Sequence, residues 1–279
     1  MRSVPLPIFV SAPGAVSTMW LPASRFTVKP FVSMRPPPFP RVIVRSVVVT
    51  FALACRIALL SISTPAGLRP SAPSPFTRTV RHLGLGFAIG VVAALLVTLL
   101  PCIFRLAEFQ ARPETPFQFA SLLFVSILLL FGAVGEEILF RGYGFQVIAG
   151  TFGAYQSLLP ISVVFAAAHW NAPPLGLFNT FLWGVILGFA FLRSGDLWLP
   201  IGLHFGWNVT LPLMGVQLSG FTMGLTGYGL VWKISDLWSG GAYGPEGGLL
   251  TSLVIPLVFF AIYRAPLERQ TPFLMPEKD

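Results

Sequence analysis

After residue 82 the chain alternates between long uncharged runs and short polar breaks. Leu83–Phe104 is the first clear span, long enough for a hydrocarbon core that needs about 20 apolar residues. A second helix opens at Pro116 and runs through an unbroken apolar stretch into Glu136. Gln156–Trp170, Leu175–Leu192, Leu197–Leu213 and Leu249–Tyr263 follow as further predicted spans. Their breaks fall at Asn171, Pro173 and Pro174, at Arg193, and at Arg264, while Pro200 lies near the start of one span. Residues 218–248, rich in Gly with Tyr and Trp, predict a loop at the membrane interface. Residues 42–62 are apolar but carry Arg45 and Arg56. A centrally placed Arg costs about 2.5–3.5 kcal/mol on insertion scales, so this stretch reads as an interfacial segment or a weak span. Gly86 with Gly90, and Gly184 with Gly188, have the four-residue spacing that lets helices approach closely. The pattern predicts an all-α fold, a polytopic transmembrane bundle of about 6–8 membrane helices.

Composition narrows the class. Hydrophobic residues make up 54% of the chain and charged residues 10%, against about 25% charged in a soluble domain. A water-soluble enzyme cannot be coated by so few charges, and a disordered chain cannot leave 26 Phe and 7 Trp wet. The net charge of +8 is also one-sided. All of the basic excess lies before Leu83, from Arg2 to Arg81, with no acid among those residues. By the positive-inside rule this places the N-terminus in the cytoplasm of an integral protein of the cell (inner) membrane, with lipid rather than nucleic acid as the partner. Residues 1–41 are Pro-rich, notably Pro36, Pro37, Pro38 and Pro40, and read as extended chain without the compact apolar core of a signal peptide. The expected organisation is a basic Pro-rich segment over 1–80, disordered or interfacial, a transmembrane domain over 81–270 and a short tail over 271–279. Cys55 and Cys102 give neither a disulfide framework nor a thiolate zinc site, and read as inert thiols.

Chemistry concentrates in few places. Acids and imidazoles inside apolar helices are expensive and mark function. The adjacent Glu136 and Glu137 follow a run, Phe117–Gly135, that holds no charge. Of the histidines, His169 and His204 fall within predicted spans, whereas His82 sits among Arg residues at a membrane edge and is expected to be solvated. Glu137 and Arg141 are four apart, about 40° around a helix, and can pair on one face. Glu136 points about 100° away, leaving an unpaired buried carboxylate of the kind a general base requires. His204 and Asn208 share a face, as do Phe165 and His169. A helix continuing to about Ala149 and reversing at Gly150–Gly153 puts Glu136 about 21 Å and His169 about 24 Å from the turn, hence at one depth. His204 falls roughly 10–13 Å from that level in straight helices, and needs tilt, offset or a break near Pro200 to reach it.

In order along the chain, Glu136, Glu137 and Arg141 read EExxxR, Phe165 and His169 read FxxxH, and His204 and Asn208 read HxxxN. Together they resemble the three motifs of the CPBP (CAAX protease, or Abi) family of intramembrane proteases, which includes the type II CAAX prenyl endopeptidases. The resemblance covers roughly Phe117–Leu213. It implies a helical membrane fold with a water-accessible cavity and hydrolysis of a peptide bond. Its implied roles are a water held by Glu136 and His169, with Glu136 as general base, an oxyanion stabilised by His204 and Asn208, and support from Glu137 and Arg141. The implied substrate is a membrane-associated peptide, such as a leader, or a lipidated CAAX-type protein. The family has been described as metalloprotease and as metal-free glutamate protease. Two His and one Glu are enough for a three-ligand zinc site, but the HExxH motif is absent, and the balance favours no tightly bound metal. The oligomeric state stays open.

Two other classes compete. A non-catalytic immunity or scaffold protein would keep the fold without cleaving. A proton-coupled transporter would use Glu136 and His169 as a relay, but predicts repeats in both halves, and no second copy of these motifs occurs.

Overall fold

The computed structural model describes residues 74–270. The Pro-rich segment, the weak span at 42–62, Cys55 and the tail 271–279 lie outside the described residues. Helix α1 spans Pro75–Ile103, and the Ser74 hydroxyl caps it by accepting from the Thr77 amide. Strand β1 (Ala107–Ala111) follows, then α2 (Phe119–Arg141), α3 (Tyr143–Phe152), α4 (Ala154–Ala168), α5 (Pro174–Ser194) and α6 (Trp198–Leu213). Strand β2 (Tyr228–Trp232), the short helix α7 (Asp236–Ser239), two 3-10 turns and α8 (Leu249–Arg264) complete the order.

Three helical stretches, Phe76–Ile103, Phe119–Phe152 and Pro174–Ser194, are long and apolar enough to cross a membrane. The α2–α3 stretch has only 11% of its apolar window buried inside the protein. Its outward side chains include Leu123, Phe124, Leu128 and Leu139. An apolar band of that extent is stable only against hydrocarbon. The fold is therefore a helical membrane bundle.

The single helix expected from Pro116 to about Ala149 is broken at Gly142. Its ψ of −128° leaves helical geometry, and a Cβ there would stand 2.3 Å from the Ile138 carbonyl oxygen. The helix after the break runs on through Phe152, past the end expected at about Ala149, and the chain reverses at Gly153, the last residue of the turn expected at Gly150–Gly153. The structure also adds a small antiparallel sheet that apolar periodicity did not predict. Its register pairs Ala107 with Trp232 and Ala111 with Tyr228, and Glu108 and Lys233 form an ion pair at its end.

The most intimate helix pairing is that of α1 with α6. A Cβ on Gly86 would lie 2.2 Å from the Leu199 carbonyl oxygen, and one on Gly90 2.2 Å from that of Leu203. Reciprocally, a Cβ on Gly202 would lie 2.2 Å from the Leu83 oxygen, and one on Gly206 2.4 Å from that of Phe87. Each helix thus offers two glycines to the other's backbone, an interlock that lets the main chains touch. Gly184 and Gly188 serve the α4–α5 contact instead, facing Ser162 and Leu158. Valine at Gly90 or Gly206 must push the two backbones apart, and is expected to cost at least about 1–3 kcal/mol of stability. Alanine at Gly84, where nothing lies within 4 Å of an added Cβ, is expected to be neutral or stabilising. Thermal unfolding in detergent separates the two cases. An equal effect at Gly84 and Gly90 would contradict the interlock.

One expectation fails at the end of this pairing. His82 is not solvated but 3% exposed, and its Nδ1 lies 2.5 Å from Asp196 Oδ2. Asp196 Oδ1 accepts from the amides of Trp198 and Leu199 at the start of α6. The sequence showed a basic neighbourhood around His82 but not the acid that folds onto it from 114 residues away.

Candidate functional site

Glu136, Glu137 and Arg141 occupy the last turns of α2, where the helix enters the protein. Glu137 and Arg141 are both fully buried, with Arg141 Nη1 donating to Glu137 Oε1 at 3.1 Å. Arg141 Nη2 donates to the Gly184 carbonyl at 3.0 Å, and the guanidinium lies 4.5 Å from the centre of the Phe165 ring. A buried cation thus meets a carboxylate, a carbonyl dipole and an aromatic face.

Glu136 faces elsewhere, as the helical angle requires. Its side chain is 36% exposed, yet its Oε2 atom is buried and accepts no hydrogen bond. That oxygen lies 3.9 Å from His169 Nε2 and 3.9 Å from His204 Nε2. Neither distance is a direct hydrogen bond.

The two rings are held by their other nitrogens. His169 caps the C-terminus of α4, and its Nδ1 donates to the Phe165 carbonyl at 2.9 Å. His204 lies on α6, and its Nδ1 donates to Glu137 Oε1 at 2.8 Å. A carbonyl and an ionised carboxylate only accept, so each Nδ1 carries the proton and each Nε2 is turned toward Glu136. Phe165 fixes the spacing between the rings. Its own ring is 3% exposed, 4.9 Å from His169, 6.3 Å from His204 and edge-on to Phe140 at 5.0 Å.

Glu136, His169, His204 and Asn208 all line one cavity of about 330 Å3. The helix–turn–helix count anticipated the shared depth of Glu136 and His169. His204 reaches that depth as well, although ideal straight helices put it well away. The α1–α6 interlock fixes where α6 sits, and the Glu137 hydrogen bond ties His204 to α2.

The segment 218–248 is more than an interface loop. Leu218, Ser219, Phe221, Met223 and Glu246 contribute to the cavity wall. Glu246 is an acid that neither spacing nor hydropathy singled out. Trp183 and Trp207 pack against each other beside it, ring centres 4.8 Å apart, whereas Trp170 is an exposed side chain suited to an interface.

As arranged, these side chains do not fit a zinc ion. Two ligands of a tetrahedral zinc with bonds of 2.0–2.1 Å stand about 3.3 Å apart, less than the 3.9 Å found between each imidazole and Glu136. Among the described residues no group of three or more His, Cys, Asp or Glu has a metal-holding arrangement.

The chain resembles known proteins over part of its length. An Escherichia coli protein described as an uncharacterized 24.3 kDa protein is 31% identical over 145 residues. That match takes in 48% of this chain, and spans 65% of the length of the relative. No solved structure matches the chain. The side chains that converge on Glu136 from α2, α4 and α6 all belong to a segment, residues 118–210, that matches the family of Rce1-like type II CAAX prenyl endopeptidases.

Proposed function

We propose that this protein is an intramembrane endopeptidase that hydrolyses a peptide bond in a membrane-associated or lipidated substrate. The observation that carries the reading is the Glu136 Oε2 atom, buried, without a hydrogen-bond donor, and equidistant from two imidazole Nε2 atoms. A buried carboxylate oxygen without a donor is costly, and a water or the substrate amide supplies what it lacks.

In the proposed reaction a water donates to Glu136 and to His169 Nε2, which accepts because its Nδ1 holds the proton. Glu136 takes a proton as the water oxygen bonds to the carbonyl carbon. The carbonyl oxygen becomes an oxyanion and accepts from Asn208 and from His204 Nε2. His204 Nδ1–H is committed to Glu137, so donation from Nε2 requires the imidazolium form, whose charge faces Glu136 and Glu137. Collapse of the intermediate breaks the C–N bond, and the proton on Glu136 passes to the leaving nitrogen. Each of these steps uses a group of this chain and none passes through a metal.

The test uses the full protein purified in detergent, with quenched-fluorescence peptides as substrate. Wild type is expected to cleave, and His169→Ala to lose about 10²–10⁴-fold in rate. Chelator treatment is expected to leave the wild-type rate unchanged. Cleavage unaffected by His169→Ala would remove this mechanism, and loss of cleavage on chelation, restored by zinc, would replace it with a metal-assisted one.

A further inference from the structure

The cavity has a second carboxylate that the reaction above does not use. Glu246 lies in the 3-10 turn Pro245–Gly247, just before α8. Its backbone is held from two sides. Asn179, 1% exposed on α5, donates to the carbonyls of Glu246 and Gly248 at 2.8 and 2.9 Å. Thr251 donates to the Pro245 carbonyl at 2.6 Å. The carboxylate is held as firmly. Oε2 accepts from the Ser219 amide at 2.6 Å and the Ser219 hydroxyl at 2.9 Å, and Oε1 accepts from Trp207 Nε1 at 3.2 Å. Loop, turn and α6 therefore fix one acidic group on the cavity wall.

All of these donors are neutral. Among the described residues, no Lys, Arg or His pairs with Glu246. This sets it apart from Glu137, which meets Arg141 and His204, and from Asp196, which meets His82. Its field is felt nearby, since burial first and the Glu246 carboxylate second push the Tyr243 phenol up. An acid kept in a largely apolar cavity, pre-positioned and without a counter-cation, is stabilised most by a cation brought in from outside. Trp183, Trp207 and the exposed ring of Phe221 line the same wall, and aromatic faces favour an ammonium or guanidinium over an anion.

We propose that Glu246, with the Trp207 wall, forms a cation-recognising subsite, and that the ligand of this cavity is a peptide presenting a basic side chain to it. The subsite deepens the endopeptidase reading and rests on it for the word substrate, but cation binding does not require that cleavage occur. A substrate entering here is selected for an internal Lys or Arg near the scissile bond. A free carboxylate at the same place is disfavoured by like charge.

The experiment therefore reads binding and cleavage separately. Wild-type protein in lipid nanodiscs is titrated with leucine-rich peptides that carry one Lys, norleucine or Glu, walked through the sequence position by position. Binding is read by competition against a fluorescent peptide. At one or more positions Lys is expected to bind at least tenfold tighter than norleucine, with Glu weakest. In Glu246→Gln, which keeps one oxygen for the two Ser219 donors but turns an NH2 toward Trp207 Nε1, the ratio of Lys to norleucine affinity falls to near one. In Glu246→Lys the order of Lys and Glu peptides inverts. Equal binding of Lys and norleucine at every position in wild type overturns the proposal, as does a Lys preference that survives Glu246→Gln. A Lys preference without any peptide cleavage would keep the subsite and remove the peptidase instead.

Discussion

Glu136→Gln is expected to abolish peptide cleavage, by about 10²–10⁴-fold, while leaving the unfolding midpoint in detergent unchanged or raised. The two effects have one cause. Glu136 Oε2 is buried between His169 Nε2 and His204 Nε2 and accepts from neither. That oxygen thus has no hydrogen-bond donor in the resting protein, and an amide of the same shape removes the charge that calls for one. The amide cannot take a proton from water, so a proposed general base would be gone while the fold is relieved. Sites under functional strain trade stability for activity in this way. A Glu136→Gln protein that melts well below wild type would show that the carboxylate is a structural acceptor. A protein that still cleaves would show that the base lies elsewhere.

What was legible of this site in the sequence is what local spacing carries. The four-residue step from Glu137 to Arg141 predicts their ion pair, and the step from Phe165 to His169 predicts the packed ring. The similar counts on either side of the expected Gly150–Gly153 turn, about 21 Å and 24 Å, predict that Glu136 and His169 meet. That count survives the break at Gly142 because both helices still lead to the same reversal at Gly153. The level of His204 was not legible. It depends on where α6 rests against α1, and that is decided by Gly202 and Gly206 meeting Gly86 and Gly90. Both halves carry the same four-residue spacing, Gly86 with Gly90 and Gly202 with Gly206, but that these two pairs face each other is decided only by contact between helices far apart in the chain. Glu246 was hidden for a similar reason. It stands in a Gly-rich segment with no periodicity, and nothing near it in sequence names Trp207 or Ser219 as its donors. The pairing of His82 with Asp196 likewise joins residues 114 apart, and the basic neighbourhood of His82 suggested solvent rather than a partner.

The largest loss of stability is expected from Arg141→Met. Arg141 and Glu137 are both fully buried, and removing one member of such a pair costs about 3–5 kcal/mol because it strands the other charge. The Phe165 face and the Gly184 carbonyl lose their cation at the same time. Adding Glu137→Gln to that variant should restore most of the stability. The pair is then replaced by an apolar side chain and a neutral amide, and the amide oxygen can still accept from His204 Nδ1. Cleavage should not return with it. Glu137 Oε1 holds His204 as well as Arg141, and in the proposed reaction its charge is what lets His204 carry two protons and donate to the oxyanion. Thermal unfolding and peptide cleavage measured on wild type, Arg141→Met and the double variant separate these roles. If cleavage recovers in step with stability, Glu137 acts only as a scaffold for α2, and the oxyanion is served by a neutral donor. If stability recovers alone, the negative charge of Glu137 belongs to the chemistry, and the second acid of the EExxxR motif has a role that packing does not account for.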